Sequence, residues 1–100
     1  MTKLADLASK IRSKNAGPFW LTIDIFCENR SDFERVCESA ETARVAAALG
    51  IQTEDLRRFE IPDLNVLKFS CPRPEVQGTR ADRDMHGASF ANTLAELKLP

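Results

Sequence analysis

Glycine is scarce in this chain, four in 100 residues. A phosphate-cradling P-loop or a dinucleotide-binding fingerprint needs several glycines at short fixed spacing, so both are excluded. Cysteine is limited to Cys27, Cys37 and Cys71. An odd number with no C-x-x-C pair argues against a disulfide scaffold and against a zinc site. Each falls within or beside an apolar stretch, where a free thiol behaves as a small buried hydrophobe, and all three read as reduced core or near-core residues. The single histidine, His86, lies far along the chain from the cysteines, which disfavours a cysteine nucleophile. No Ser-His-Asp order, nucleophile elbow or H-E-x-x-H motif occurs either. Charge of one sign is not in excess: 14 basic and 15 acidic residues give a net charge of −1 and are closely mixed. That balance lacks the basic surface of a nucleic-acid binder. Long apolar runs are missing as well. Residues 1–13 lack the h-region of a signal peptide, and no window reaches the ~18 apolar residues of a membrane span. The expectation is a cytoplasmic protein with neither nucleic acid nor membrane as partner. Internal repeats and low-complexity tracts are absent.

One hundred residues suit one domain spanning 1–100. A chain of this size buries ~60–70% of the surface that its unfolded form exposes. That suffices for one two-layer core and leaves little room for an enclosed substrate pocket. Size therefore favours a binding module, a subunit, or a site shared between chains.

Leu4, Leu7, Ala8 and Ile11 recur at helical spacing and predict a short helix or helical turn, with Thr2 as N-cap and Lys10, Arg12 and Lys14 at the C-terminal end. Asn15-Ala16-Gly17-Pro18 stops this helix, since proline removes a donor and disfavours helix at the residue before it. Residues 19–27, FWLTIDIFC, predict a strand with Phe19, Leu21, Ile23 and Ile25 on one face and Trp20, Thr22, Asp24 and Phe26 on the other. One apolar and one mixed face predict a central strand with helices on one side. Ser31-Asp32-Phe33-Glu34 reads as a capping box opening a helix that carries Phe33, Val36, Cys37 and Ala40. The helix is predicted to continue, with a kink near Thr42, to Gly50. Residues 53–55 suggest a single turn. Residues 59–61 and 65–71 predict two strands flanking the Pro62-Asp63 bend, ended by Pro72-Arg73-Pro74. Periodicity vanishes over residues 75–93, long for a structureless loop in a compact domain. Leu97 and Leu99 predict a last strand.

Helix, strand, helix, strand, strand, long loop, strand specifies an α+β fold. The economical arrangement is a ferredoxin-like sandwich of about four strands with helices on one face.

Two polar segments can carry chemistry. In Arg12-Ser13-Lys14-Asn15-Ala16-Gly17-Pro18, read as a loop before the strongest strand, small and amide residues let backbone N–H groups approach an anion while Lys14 supplies charge. The structural alternative is a helix stop, in which Asn15 and Gly17 tolerate left-handed geometry. In Asp82-Arg83-Asp84-Met85-His86-Gly87, two carboxylates and an imidazole could bind a divalent metal or move protons. The alternative is a solvated turn, and the oxygen ligands of an EF-hand calcium loop are lacking. Arg73 and Arg80 could fork onto a carboxylate substrate or pair with these aspartates. No metal or cofactor is assigned from these residues.

The N-terminal K-L-A-D-L-A and I-R-S-K-N-A-G-P-F, the T-I-D-I-F strand, the C-P-R-P turn and Q-G-T-R-A-D-R-D-M-H-G-A together resemble domain-of-unknown-function family 4387, over nearly the whole chain. That family in turn resembles the ferredoxin-like domain at the C-terminus of AtuA-like proteins, of the acyclic-terpene-utilisation type. The resemblance implies a small companion subunit of an AtuA-like larger chain, in bacterial catabolism of organic acids or acyl-CoA compounds, as part of a lyase or hydratase. Carried over residue by residue, Arg12, Ser13, Lys14, Asn15 and Gly17 match the first loop, and Arg73, Asp82, Asp84, His86 and Gly87 the second. The expectation is a pocket for an anionic small molecule shared with the partner. In it Lys14 and Arg73 bind carboxylate or phosphate, and His86, supported by Asp84, is the acid–base group. The rival expectation is a self-associating structural module that forms a homo-oligomer.

Overall fold

The computed structural model describes residues 2–17, 19–72 and 94–99. In chain order its elements are β1 (Thr2–Lys3), α1 (Leu4–Leu7), β2 (Lys10–Asn15), β3 (Trp20–Phe26), α2 (Arg30–Ser39), α3 (Thr42–Leu49), β4 (Arg57–Ile61), β5 (Val66–Pro72) and β6 (Lys98–Leu99). Single 3-10 turns occupy Thr53–Asp55 and Pro62–Leu64. β3 is an inner strand of an antiparallel sheet ordered β2-β3-β5-β4, and β1 pairs with β6 in a second, two-stranded sheet. This is the α+β sandwich, helices on one face of four strands, that the element order predicts.

Alternation along β3 decides which side is covered. Leu21, Ile23 and Ile25 are buried, and the register sets them beside Cys71, Phe69 and Leu67 of β5. Phe33, Val36 and Ala40 of the α2 region and Val45, Ala46 and Leu49 of α3 close over them, with Leu4, Leu94 and Leu99 completing the core. All three cysteines are free thiols. Cys27 and Cys71 are buried and Cys37 half-buried, as the apolar context predicts. Burial pushes each thiol above its ordinary value, Cys27 to about 11.

The N-terminal helix is the helical turn that the Leu4, Leu7, Ala8 spacing predicts, but it ends at Leu7 and does not reach Lys10, Arg12 and Lys14. Lys3, rather than Thr2, is its N-cap, with the Lys3 amide donating to Asp6 Oδ2 at 2.9 Å. From Lys10 the chain is extended. Lys10, Arg12 and Lys14 are exposed while Ile11, Ser13 and Asn15 are half-buried, a period of two that overlays the helical spacing. The ladder with β3 settles the competition. Ile11 pairs with Ile25 and Ser13 with Ile23, and Ser9 starts the pairing with its amide donating to the Phe26 carbonyl at 2.8 Å. A short isolated helix has a costly nucleus, whereas each residue added to a formed ladder gains a backbone partner.

The second helix is divided. Asn29, not Ser31, is the N-cap of α2 and accepts from the Asp32 amide at 2.8 Å. Either residue type caps well, and the geometry selects the earlier one. α2 ends at Ser39, and Ala40 adopts φ −88° and ψ 71°. Arg58 of β4 donates from its guanidinium to the Cys37 carbonyl at 2.6 Å and the Ala40 carbonyl at 2.7 Å. Those are the acceptors that a helix end leaves without partners. A tertiary contact therefore replaces the kink with a break. Gly50 ends α3 in the left-handed region at φ 74°, as its position predicts.

β4 and β5 form the expected hairpin around Pro62–Leu64, closed by Asn65 at φ 54°. The last strand differs from expectation. β6 joins β1, with Thr2 opposite Leu99, and β2 takes the fourth place in the main sheet. Leu99 is nonetheless buried and Leu97 half-buried, so the apolar alternation is satisfied on the smaller sheet.

Candidate functional site

Strand alternation gives the main sheet a second, outer face opposite the helices. The register arranges it in rows: Lys10, Phe26, Val66 and Ile61; then Arg12, Asp24, Lys68 and Phe59; then Lys14, Thr22, Ser70 and Arg57; then Trp20 and Pro72. Among the described residues, five cations, Lys10, Arg12, Lys14, Arg57 and Lys68, share this face with one carboxylate, Asp24. Adjacent strands lie about 4.8 Å apart, so the third row spans roughly 14 Å from β2 to β4. The acidic residues that balance the chain lie mostly elsewhere, including Glu28, Glu34, Glu38 and Glu41 in and around α2.

Among the described residues, two ion pairs form, Lys3–Glu96 and Arg58–Glu60, each at 2.9 Å. Neither involves a cation of the outer face. The Arg57 guanidinium lies over the Trp20 ring, 5.5 Å from its centroid, and Trp20 stays 38% exposed. Between Lys14 and Ser70, Thr22 is only 9% exposed, and among the described residues its hydroxyl has no hydrogen-bond partner. A buried hydroxyl without a partner costs about 1–3 kcal/mol. The third row therefore combines two cations and two hydroxyls, one of those hydroxyls without a partner among the described residues.

A surface hollow of ≈ 550 Å³ lies at the outer edge of β4, lined by Arg58, Phe59, Glu60, Ile61 and Lys68. Consecutive β4 residues point to opposite faces, so the hollow wraps the strand edge. Phe59 and Lys68 connect it to the outer face. It offers contact to a ligand but does not enclose one.

The residues that the sequence marks for function divide among these features. Arg12 and Lys14 stand on the outer face; Ser13 and Asn15 alternate to the helix side. The expected polar loop is therefore a strand, and only its cations share a face. Gly17 lies in the turn between β2 and β3 at φ 83°, where the Ala16 amide donates to the Trp20 carbonyl at 2.9 Å. Its role there is the turn. Arg73, Asp82, Asp84, His86 and Gly87, with the whole 75–93 segment, lie outside the described residues. Thr22, Ser70, Arg57 and Lys68 escape sequence reasoning because their neighbourhood comes from strand pairing. One signal for them is present: the polar face of residues 20–26, once Lys10, Arg12 and Lys14 are read at a period of two.

Among the described residues, no group of three or more His, Cys, Asp and Glu side chains is placed to hold a metal ion. No helix among them is long and apolar enough to cross a membrane. The architecture is thus an α+β sandwich with one helix-covered and one cation-rich sheet face. The chain belongs to the family described as Domain of unknown function (DUF4387), whose model matches residues 4–98. No curated protein and no solved structure matches it.

Proposed function

We propose that this chain is the small companion subunit of an AtuA-like larger protein, contributing to a shared site for an anionic organic-acid or acyl-CoA metabolite. The observation that carries the anion is the outer sheet face, where Lys10, Arg12, Lys14, Arg57 and Lys68 meet one carboxylate, Asp24. A carboxylate or phosphate offers such a face more counter-charge than Asp24 supplies among the described residues, and charge-assisted hydrogen bonds are the stronger kind. The hollow at the β4 edge is open on one side, which favours a site completed by another chain.

The partner and the chemistry rest on the resemblance to AtuA-like proteins. On that reading the assembly is a cytoplasmic lyase or hydratase of bacterial catabolism. Lys14 and Arg73 bind the anion, His86 moves a proton, and Asp84 supports the imidazole. Native mass spectrometry of the tagged chain recovered from its own host tests the assembly, and a stoichiometric larger partner is the expected result. In the recovered complex, Lys14→Ala should raise KM about tenfold, the usual scale for one charge-assisted contact. His86→Ala should lower kcat. Unchanged kinetics in both variants removes these residues from the mechanism.

Trp20 and Phe59, 38% and 46% exposed on the same face, support a second reading, a self-associating module that buries them in a homo-oligomer. That reading predicts a closed assembly of identical chains with nothing else bound.

A further inference from the structure

The third row of the outer face points to a ligand class narrower than "anion". Lys14 on β2 and Arg57 on β4 approach from opposite sides, and Thr22 and Ser70 lie directly opposite each other between them. A carboxylate is planar and is satisfied by one arginine fork. Two cations on opposite sides of two hydroxyls suit a tetrahedral group with three outward oxygens, which can accept from both sides and from below. Thr22 supplies the independent observation: the residue is 9% exposed and, among the described residues, its hydroxyl has no partner. Buried hydroxyls in proteins are normally paired. Trp20 is two residues from Thr22 on the same face of β3, about 7 Å along the strand. Its ring, with the Arg57 guanidinium over it 5.5 Å from the centroid, remains 38% exposed. Flat bases stack on aromatic rings and on guanidinium planes alike.

Resting on the anion-binding reading above, we propose that Lys14, Thr22, Ser70 and Arg57, with Trp20 beside them, form a binding site for a nucleoside phosphate. The phosphate sits over Thr22 and Ser70 between the two cations, and the base lies against the Trp20–Arg57 pair. These five residues belong to one chain, so the site binds without a partner subunit. The ligand parts the side chains around Thr22 to reach its hydroxyl.

Trp20 is the single tryptophan of the chain, so its fluorescence reports directly on the site. The purified full chain is titrated with ADP, coenzyme A, inorganic phosphate and citrate, and calorimetry follows binding that leaves the ring untouched. ADP should quench Trp20 saturably and bind about tenfold or more tightly than phosphate, since it adds stacking to the same oxyanion contacts. Coenzyme A binding more tightly than ADP would identify the nucleotide as a coenzyme handle, and the reverse order a free nucleotide. Thr22→Val should weaken ADP roughly tenfold while leaving Tm equal or higher, because valine removes the unpaired hydroxyl at nearly the same shape. A merely structural threonine would show no such opposition. Citrate binding with ADP no tighter than phosphate overturns the nucleotide and leaves the anion reading standing. No binding of any of the four by the chain alone overturns the nucleotide site, and the shared site is then judged by the kinetics of the recovered complex. ADP affinity unchanged in Thr22→Val and in Arg57→Ala removes the site from this row.

Discussion

Arg58 joins three parts of the molecule through one guanidinium. It donates to the carbonyls of Cys37 and Ala40 and to Glu60 Oε2, and it lies 5.7 Å from the centroid of the Phe69 ring. Replacing it with methionine keeps the aliphatic stem but leaves two carbonyls at the α2–α3 break without a donor. The expected loss of stability is about 2–4 kcal/mol, read from urea unfolding midpoints. Arg58→Lys should recover less than half of it, because one ammonium cannot span both carbonyls and the carboxylate. Cys27 makes a second residue-scale prediction. Burial, first, and the nearby Asp32, second, raise its thiol from 9.0 to about 11. The native state holds that proton more tightly than the unfolded chain. The associated stability is fully present below pH 9, declines as pH rises toward 11, and is lost above it. The chain has no tyrosine, so thiols rather than phenols dominate the start of this window. Melts at stepped pH should show the decline beginning near pH 9 and shallower in Cys27→Ala.

At the scale of elements, the two competing caps of α2 separate by mutation. Asn29→Ala should cost about 1 kcal/mol, because the Asp32 amide loses its 2.8 Å acceptor. Ser31→Ala, inside the first turn, should cost only a few tenths of that, and chemical unfolding of both variants decides between the positions. The contrast shows how far local sequence reaches. β3, the β4–β5 hairpin, the Gly50 cap and the 53–55 turn were legible because each depends on residues close in sequence: a run rich in aromatic and β-branched residues, a Pro-Asp bend, a glycine at φ 74°. β2 was not. Leu4, Leu7, Ala8 and Ile11 fit a helix, while Lys10 through Asn15 fit a strand equally well. The choice lies with Ile25, Ile23 and Leu21 across the ladder. The α2–α3 break was hidden for a similar reason, since its cause, Arg58, is 18 residues beyond Ala40. Misreading β2 also hid the site. As a helix end, Lys10, Arg12 and Lys14 would meet only the macrodipole; as an edge strand they face Phe26, Asp24 and Thr22.

Across the whole molecule, a net charge of −1 conceals a division between faces. Among the described residues, five cations and one carboxylate occupy the outer face of the sheet, while acidic side chains collect around α2. Long-range binding responds to the local potential as well as to the sum, within a screening length of about 8–10 Å at physiological salt. The folded protein should therefore be retained on a sulfonate cation exchanger at pH 7 and low salt despite its slight negative charge. The same chain in 8 M urea, a denaturing concentration for most small domains, should pass through, because unfolding redistributes the cations among the acids. Lys14→Glu with Lys68→Glu should abolish retention. The same two reversals placed at Lys3 and Lys98, on the smaller sheet, change the net charge equally and should leave retention largely intact. Equal losses in the two double variants would assign the behaviour to net charge and withdraw the outer face as an anion-attracting surface. Loss confined to the Lys14, Lys68 pair would show that strand pairing, by placing alternate residues of β2 beside those of β3, β5 and β4, builds a surface that composition alone hides.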